Sequence, residues 1–139
     1  LYMLNSNAVD GTSWATVNGH WAFHINSTNN AANFGGSITA IGNITAYSDE
    51  RLKSDIKTID NAMDKVNALR GVTFTKDGER GLGVVAQEVE KVLPEVVIDG
   101  DYKSVAYGNM VGVLIEAMKE QNAKIERLEG LVELMLKDK

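Results

Sequence analysis

Apolar residues change their spacing twice along this chain, and each change predicts a different kind of element. In residues 1–47 they alternate with small polar residues. Trp14-Ala15-Thr16-Val17 and Trp21-Ala22-Phe23-His24-Ile25 read as strands of period two. Asn18-Gly19 between those runs is a strong hairpin-turn signal, because both residues accept positive φ. Residues 37–46 keep a small-apolar-small rhythm around Gly42-Asn43. Strands this short cannot bury a core alone, and their open edges invite pairing with other chains. Residues 1–47 are therefore expected to form the β-rich end of an intertwined trimeric fibre.

From Ser54 the period becomes helical. Ile56, Ile59, Met63, Val66 and Leu69 recur at intervals of three and four, and Gly71 follows as a stop signal. Val72-Thr73-Phe74-Thr75 then reads as a strand, residues 76–80 as a polar turn, and Gly81-Leu82-Gly83-Val84-Val85 as the partner strand. Residues 86–93 read as a short helix ended by the only proline, Pro94. Val96-Val97-Ile98 and residues 102–105, on either side of Asp99-Gly100-Asp101, suggest a second hairpin. The pattern is that of a small α+β unit.

The final segment predicts one long helix over about residues 108–138. Val111, Met118, Ile125 and Val132 fall at heptad position a, and Leu114, Gln121, Leu128 and Met135 at d. For Val111 to Met118, packing on the helix's own domain and packing between chains are equally good readings. Beyond Gln121 too little chain remains to cover the seam, so association between chains is expected. β-branched residues at a with leucine at d lean towards dimers, and Met118 and Gln121 weaken that lean.

Charge sharpens the division. Residues 1–47 hold one charged side chain, Asp10, whereas residues 48–139 hold all 14 basic and 18 of the 19 acidic residues. The domains expected are thus 1–47 and 48–139. A formal charge of −5 disfavours nucleic acid as the main partner. The chain has no cysteine, so neither disulfides nor thiolate metal sites staple it, and small unstapled units tend to oligomerise. No apolar run is long enough to span a membrane. The start at Leu1, without a basic leader, suggests a fragment of something longer.

At the seam between the two compositions stands Tyr47-Ser48-Asp49-Glu50-Arg51-Leu52-Lys53. A serine hydroxyl becomes a competent nucleophile when a base removes its proton, and a lysine serves as that base only when neutral. Arg51 could favour the neutral amine by its charge, whereas Asp49 and Glu50 would oppose it by pairing with Lys53. A serine five residues ahead of a lysine is common by chance. On spacing alone, Ser48 as a turn or cap residue and 49–53 as a solvated polar face is the better reading.

The surrounding residues change that balance. Ser48-Asp49-Glu50-Arg51-Leu52-Lys53-Ser54-Asp55-Ile56 resembles the opening motif of the S74 peptidase family. These are the intramolecular chaperone auto-processing domains at the C-terminal ends of phage tail fibres, tailspikes and endosialidases. The run Gly83-Val84-Val85-Ala86-Gln87-Glu88-Val89-Glu90-Lys91-Val92-Leu93-Pro94-Glu95-Val96-Val97 is similar to that family's Ala-Gln-Glu-Val and Leu-Pro-Glu-Val signature. Tyr102-Lys103-Ser104-Val105-Ala106-Tyr107 and Leu114-Ile115-Glu116-Ala117-Met118-Lys119 resemble its final strand and helix. Thr75 and Lys76 stand where many relatives carry a tryptophan, which bears on packing more than on catalysis.

The resemblance implies a homotrimeric chaperone that guides the preceding β-structure, a triple β-helix or similar fibre, into register and then cuts itself off. It implies a Ser–Lys dyad of Ser48 and Lys53; Arg51 and Glu50 are the neighbouring candidates for support, and no cofactor is expected. It places the cut at Ser48–Asp49. Chemistry points instead to Tyr47–Ser48, since a serine attacking its own carbonyl would close a four-membered ring; a serine or water from elsewhere in the trimer removes that objection. The implied locations are a virion fibre for 1–47, with a bacterial surface receptor as its partner, and the host cytoplasm for the released domain.

Other residues point to chemistry less well. His20 and His24 stand four apart in strand-like sequence with no carboxylates near, so no metal site is expected. Glu88, Glu90 and Glu95 suggest paired acids, yet Glu88 and Glu90 diverge along a helix and read as a solvated face. Gly81-Leu82-Gly83 is too short for a phosphate loop. Trp14, Trp21 and Phe23 read as packing between chains rather than as a sugar platform. The alternatives carried forward are a non-catalytic trimerisation module and a receptor- or glycan-binding fibre tip.

Overall fold

The computed structural model describes residues 23–25, 28, 29 and 31–137. The expected strand at Trp14-Ala15-Thr16-Val17, the Asn18-Gly19 turn, His20, Trp21 and the side chain of His24 lie outside the described residues. The chain divides into two compact units, Leu1–Leu52 and Lys53–Lys139. The architecture is α+β with a long C-terminal helix.

In the first unit, β1 (Phe23–Ile25) pairs antiparallel with β2 (Ala32–Phe34), placing Phe23 opposite Phe34 and Ile25 opposite Ala32. The Phe23 and Phe34 rings meet at 4.9 Å with a 44° tilt, a favourable cross-strand aromatic pair. Asn29 helps to shape the turn, its side-chain oxygen accepting the Ala31 N–H at 3.0 Å. Residues 37–49 form neither strand nor helix. Among the described residues their small-apolar rhythm has no strand partner. Ile38, Ile41, Ile44 and Tyr47 come at intervals of three and are all exposed.

The second unit departs from its sequence pattern at the first helix. The period from Ile56 to Leu69 predicts one helix, yet α1 spans only Ala62–Ala68, and Ile56 stays exposed. Asp55 and Asn61 adopt φ of 52° and 53°, left-handed conformations that a continuous helix excludes. Asn61 gives α1 no side-chain cap. The Glu120 carboxylate, reaching from the last helix, supplies one: its two oxygens accept the N–H groups of Ala62 and Met63, each at 2.9 Å. An anion belongs there, because unpaired N–H groups and the positive end of the helix dipole converge on it.

Those two bonds, with lesser help from Lys124 and Lys65, hold the Glu120 carboxyl below its ordinary value of 4.5. A lowered carboxyl stabilises the fold fully above its unfolded value and progressively less as pH falls through the folded one. Glu120→Gln is therefore expected to lower the thermal midpoint at pH 7 by roughly 4–8 °C. It should also flatten the decline in stability below pH 4.5. Melting curves from pH 7 to pH 3 check both; parallel declines in the two proteins would remove Glu120 from this role.

After α1, β3 (Val72–Lys76) and β4 (Glu79–Gly83) form a hairpin with Lys76 opposite Glu79. Its turn is two residues long, shorter than the polar turn expected over 76–80. Asp77 and Gly78 make it at φ of 54° and 85°, the left-handed pair that suits the twist of a tight hairpin. The Phe74 ring lies over the glycines of β4: a Cβ on Gly81 would sit 2.7 Å from it, and one on Gly83 would meet the Tyr107 hydroxyl at 2.7 Å. That hydroxyl accepts the Val84 N–H at 3.4 Å, linking the hairpin to the approach of the last helix. Gly81-Leu82-Gly83 is thus strand that yields space to aromatics.

The helix expected over 86–93 is shorter, α2 covering Ala86–Val89. Pro94 opens a 3₁₀ turn, Pro94–Val96, where its missing N–H costs nothing. The second hairpin pairs β5 (Val97–Ile98) with β6 (Ser104–Val105). Ala62, Val89, Leu93, Val96, Val113 and Ala117 form the buried core, edged by Ile59, Met63, Val66 and others. A buried valine such as Val89 or Val113 contributes on the order of 1.5–3 kcal/mol.

The last helix, α3, runs Met110–Lys137 after a 3₁₀ turn at Tyr107–Asn109. Val113 and Ala117 are buried on α1 and its neighbours, with Met110 packed at the edge. Val111, Leu114 and Met118 stay 54%, 46% and 64% exposed. The two readings of this stretch are thereby separated: the helix uses a different face for its own domain and leaves the heptad residues outside. From Gln121 to Lys137 every residue is exposed. Among the described residues, no helix is long and apolar enough to cross a membrane.

Candidate functional site

Ser48 stands in irregular, exposed backbone at the end of the first unit, and exposed Lys53 opens the second. Between them, Glu50–Leu52 forms one 3₁₀ turn. Asp49 builds it. Its carbonyl accepts the Leu52 N–H at 3.1 Å and its side-chain oxygen accepts the Arg51 N–H at 2.9 Å. The local sequence suffices for this, since a short acidic side chain readily bonds the backbone two residues on. The residue that follows Ser48 is thus held in a tight turn, with Tyr47 on the other side 97% exposed.

The same Asp49 carboxylate takes both arms of Arg51, Nε at 2.9 Å and Nη2 at 2.6 Å. The Arg51 guanidinium holds the Asp49 carboxyl below its ordinary value, and Asp49 raises Arg51 in return. Both are exposed, so the pair orders the turn more than it stabilises the fold. It also answers a question that spacing left open: the Arg51 charge is directed at Asp49. Glu50 is exposed on the same turn.

The acidic residues on α2 are engaged separately. Glu88 receives Arg70 Nη2 at 2.5 Å and Nε at 3.2 Å. Glu90 accepts Lys103 Nζ at 2.8 Å, and Lys103 also meets Asp99. Arg70 holds the Glu88 carboxyl low, while Asp99 and then Glu90 raise the Lys103 ammonium. Each acid thus faces its own base, and Glu95 is exposed. Among the described residues, no group of three His, Cys, Asp or Glu could hold a metal ion.

Two of the interactions not foreseen from the sequence differ in how legible they were. The Asp49–Arg51 pair was signalled by the i, i+2 spacing of an acid that favours turns. The Glu120 cap had no local signal, because donor and acceptor lie 58 residues apart.

Comparison with known proteins bears on the same stretch. Residues 48–98 match the Peptidase_S74 family model, described as the chaperone of endosialidase. The chain is 36% identical over 101 residues to the long tail fiber protein Gp37 of Enterobacteria phage K3, covering 63% of this chain and 8% of that protein. It is 32% identical over 121 residues to Gp37 of Salmonella phage S16, covering 76% and 16%. It is 28% identical over 134 residues to Gp37 of Enterobacteria phage M1, covering 86% and 45%. The chain thus spans less than half the length of these relatives.

Proposed function

We propose that this chain, whose residues 48–98 belong to the chaperone-of-endosialidase family, is the C-terminal chaperone of a phage tail fibre and severs itself from that fibre at Ser48. The observation that carries this reading is where the family match begins. It starts at Ser48, the residue at which the composition changes, and it takes in Lys53. The client is residues 1–47 with whatever fibre precedes them. Ile38, Ile41, Ile44 and Tyr47, exposed and without strand partners among the described residues, are apolar surface that further copies would cover. The heptad face of α3 would hold three copies together at high local concentration while that surface is buried.

In the reaction proposed, the Lys53 amine accepts a proton from the attacking hydroxyl, and a tetrahedral intermediate forms at the scissile carbonyl. The C–N bond breaks, and the proton passes to the departing amine. One water is consumed overall, leaving a carboxylate on one fragment and an amine on the other. At Ser48–Asp49 the attacking oxygen comes from a neighbouring copy's Ser48 or from water. Cutting removes the segment that assembled the fibre, so the fibre persists kinetically without it. The mature fibre would remain in the virion and meet a bacterial surface receptor, while the cut domain stays in the host cytoplasm.

A second reading, a trimerisation module that is never cut, draws support from the relatives, whose names describe fibres and no peptidase. Intact mass after folding separates the two. Wild type should yield two fragments whose masses sum to the chain plus one water, and Lys53→Ala should stay whole. A wild-type chain that assembles and remains whole establishes the second reading and ends the first.

A further inference from the structure

We infer that Asp49 and Arg51 are positioning residues that brace the bond to be cut, Asp49 through its backbone and Arg51 through the Asp49 carboxylate. This rests on the cut at Ser48–Asp49 proposed above and gives two further residues a part in it. The amine released by that cut is the Asp49 nitrogen. Whatever fixes Asp49 therefore fixes the leaving side of the bond.

Asp49 is fixed by contacts that all run downstream. Its carbonyl accepts the Leu52 N–H at 3.1 Å, and its Oδ1 accepts the Arg51 N–H at 2.9 Å. These two bonds to the backbone set the turn Glu50–Leu52. Arg51 then closes on the same carboxylate, Nε to Oδ1 at 2.9 Å and Nη2 to Oδ2 at 2.6 Å. A planar guanidinium fork admits only a narrow range of carboxylate orientations, so it locks the side chain that locks the turn.

Fold stability does not account for such a pair. The Asp49 and Arg51 side chains are 40% and 88% exposed, where an ion pair adds little, and neither belongs to the core. The effect is local order, placed where residues 37–49 otherwise form neither strand nor helix. Order there serves a bond that is cut once, because freedom removed beforehand need not be removed in the transition state. The same contacts direct the Arg51 charge at Asp49. Arg51 therefore acts by placing the bond rather than by its charge on the Lys53 amine.

The rate of cutting in the full chain, followed by intact mass during folding, tests this. Arg51→Ala and Asp49→Ala should each slow it roughly tenfold, the effect of freeing about one residue's backbone. Assembly and the thermal midpoint should stay unchanged. The double variant should be no slower than the slower single one, since one brace is lost once. Asp49→Asn keeps an oxygen for the Arg51 N–H and should fall between wild type and Asp49→Ala. The pH at which cutting is half-maximal should be the same in Arg51→Ala as in wild type. A move to higher pH would show the Arg51 charge acting on the base, and would overturn the positioning role. Losses that multiply in the double variant overturn the brace, as does an asparagine no faster than alanine. A variant that is slow because it no longer assembles also overturns it. A wild-type chain that stays whole overturns the reading on which this rests, whereas alanine variants cut as fast as wild type overturn the brace alone.

Discussion

Ser48→Ala is expected to leave the chain whole under the folding conditions in which wild type divides in two. The rate of cutting should fall by on the order of 10³-fold or more, as when the nucleophile of a coupled catalytic pair is removed. Assembly should be unaffected, since Ser48 is exposed and lies outside both the core and the heptad face. The first residue of the C-terminal fragment identifies the bond. A fragment starting at Asp49 places the cut after Ser48 and requires a hydroxyl from another copy, or water. One starting at Ser48 shows that the hydroxyl attacked the Tyr47 carbonyl, forming an ester that water then opened. A cut that persists at full rate in Ser48→Ala would take Ser48 out of the chemistry.

Removing residues 125–139 should separate folding from assembly. The core residues on α3 are Val113 and Ala117, and the Glu120 cap also lies before the deletion. The second unit is therefore expected to keep its core and its hairpins. What disappears is Ile125, Leu128, Val132 and Met135, half of the heptad face. Four apolar side chains of this size represent roughly 6–12 kcal/mol of gross burial per chain if the face is covered. Each 1.4 kcal/mol is about tenfold in affinity, so association should become undetectable at micromolar concentration. Sedimentation should then report a monomer whose circular dichroism still melts cooperatively. A well-folded oligomer from this deletion would refute the clamping role of the face. An unfolded chain would mean that assembly is needed for the core itself.

Much of the second unit was legible because its signals are short-range. Asp77-Gly78 closes a hairpin through its own backbone preferences, whereas α2 stops at Val89, short of Pro94, which opens a 3₁₀ turn instead. The first helix was misjudged for a definite reason. Ile56 and Ile59 have helical spacing, but apolar spacing says nothing of Asp55 and Asn61 in left-handed conformations. For the site, the sequence singled out Ser48 and Lys53 as candidates, whereas the 3₁₀ turn between them and the partner of Arg51 emerged only from the placed backbone and side chains. Glu88 and Glu90 read as a solvated face; each in fact meets a base contributed by a different part of the chain.

What the sequence by itself determined are features carried by spacing within a few residues: the break in charge at Ser48, the two hairpins of the second unit, and the heptad repeat from Val111 to Met135. Backbone geometry repeats every two or 3.6 residues, so such patterns need no knowledge of distant neighbours. Only the tertiary structure decided which face of α3 serves its own domain. Val113 and Ala117 turn inward beside the Glu120 cap, while Val111, Leu114 and Met118 remain outside. Both faces carry apolar residues at helical spacing. The choice between them depends on contacts with α1 and α2 that close tens of residues away, and no local period encodes those.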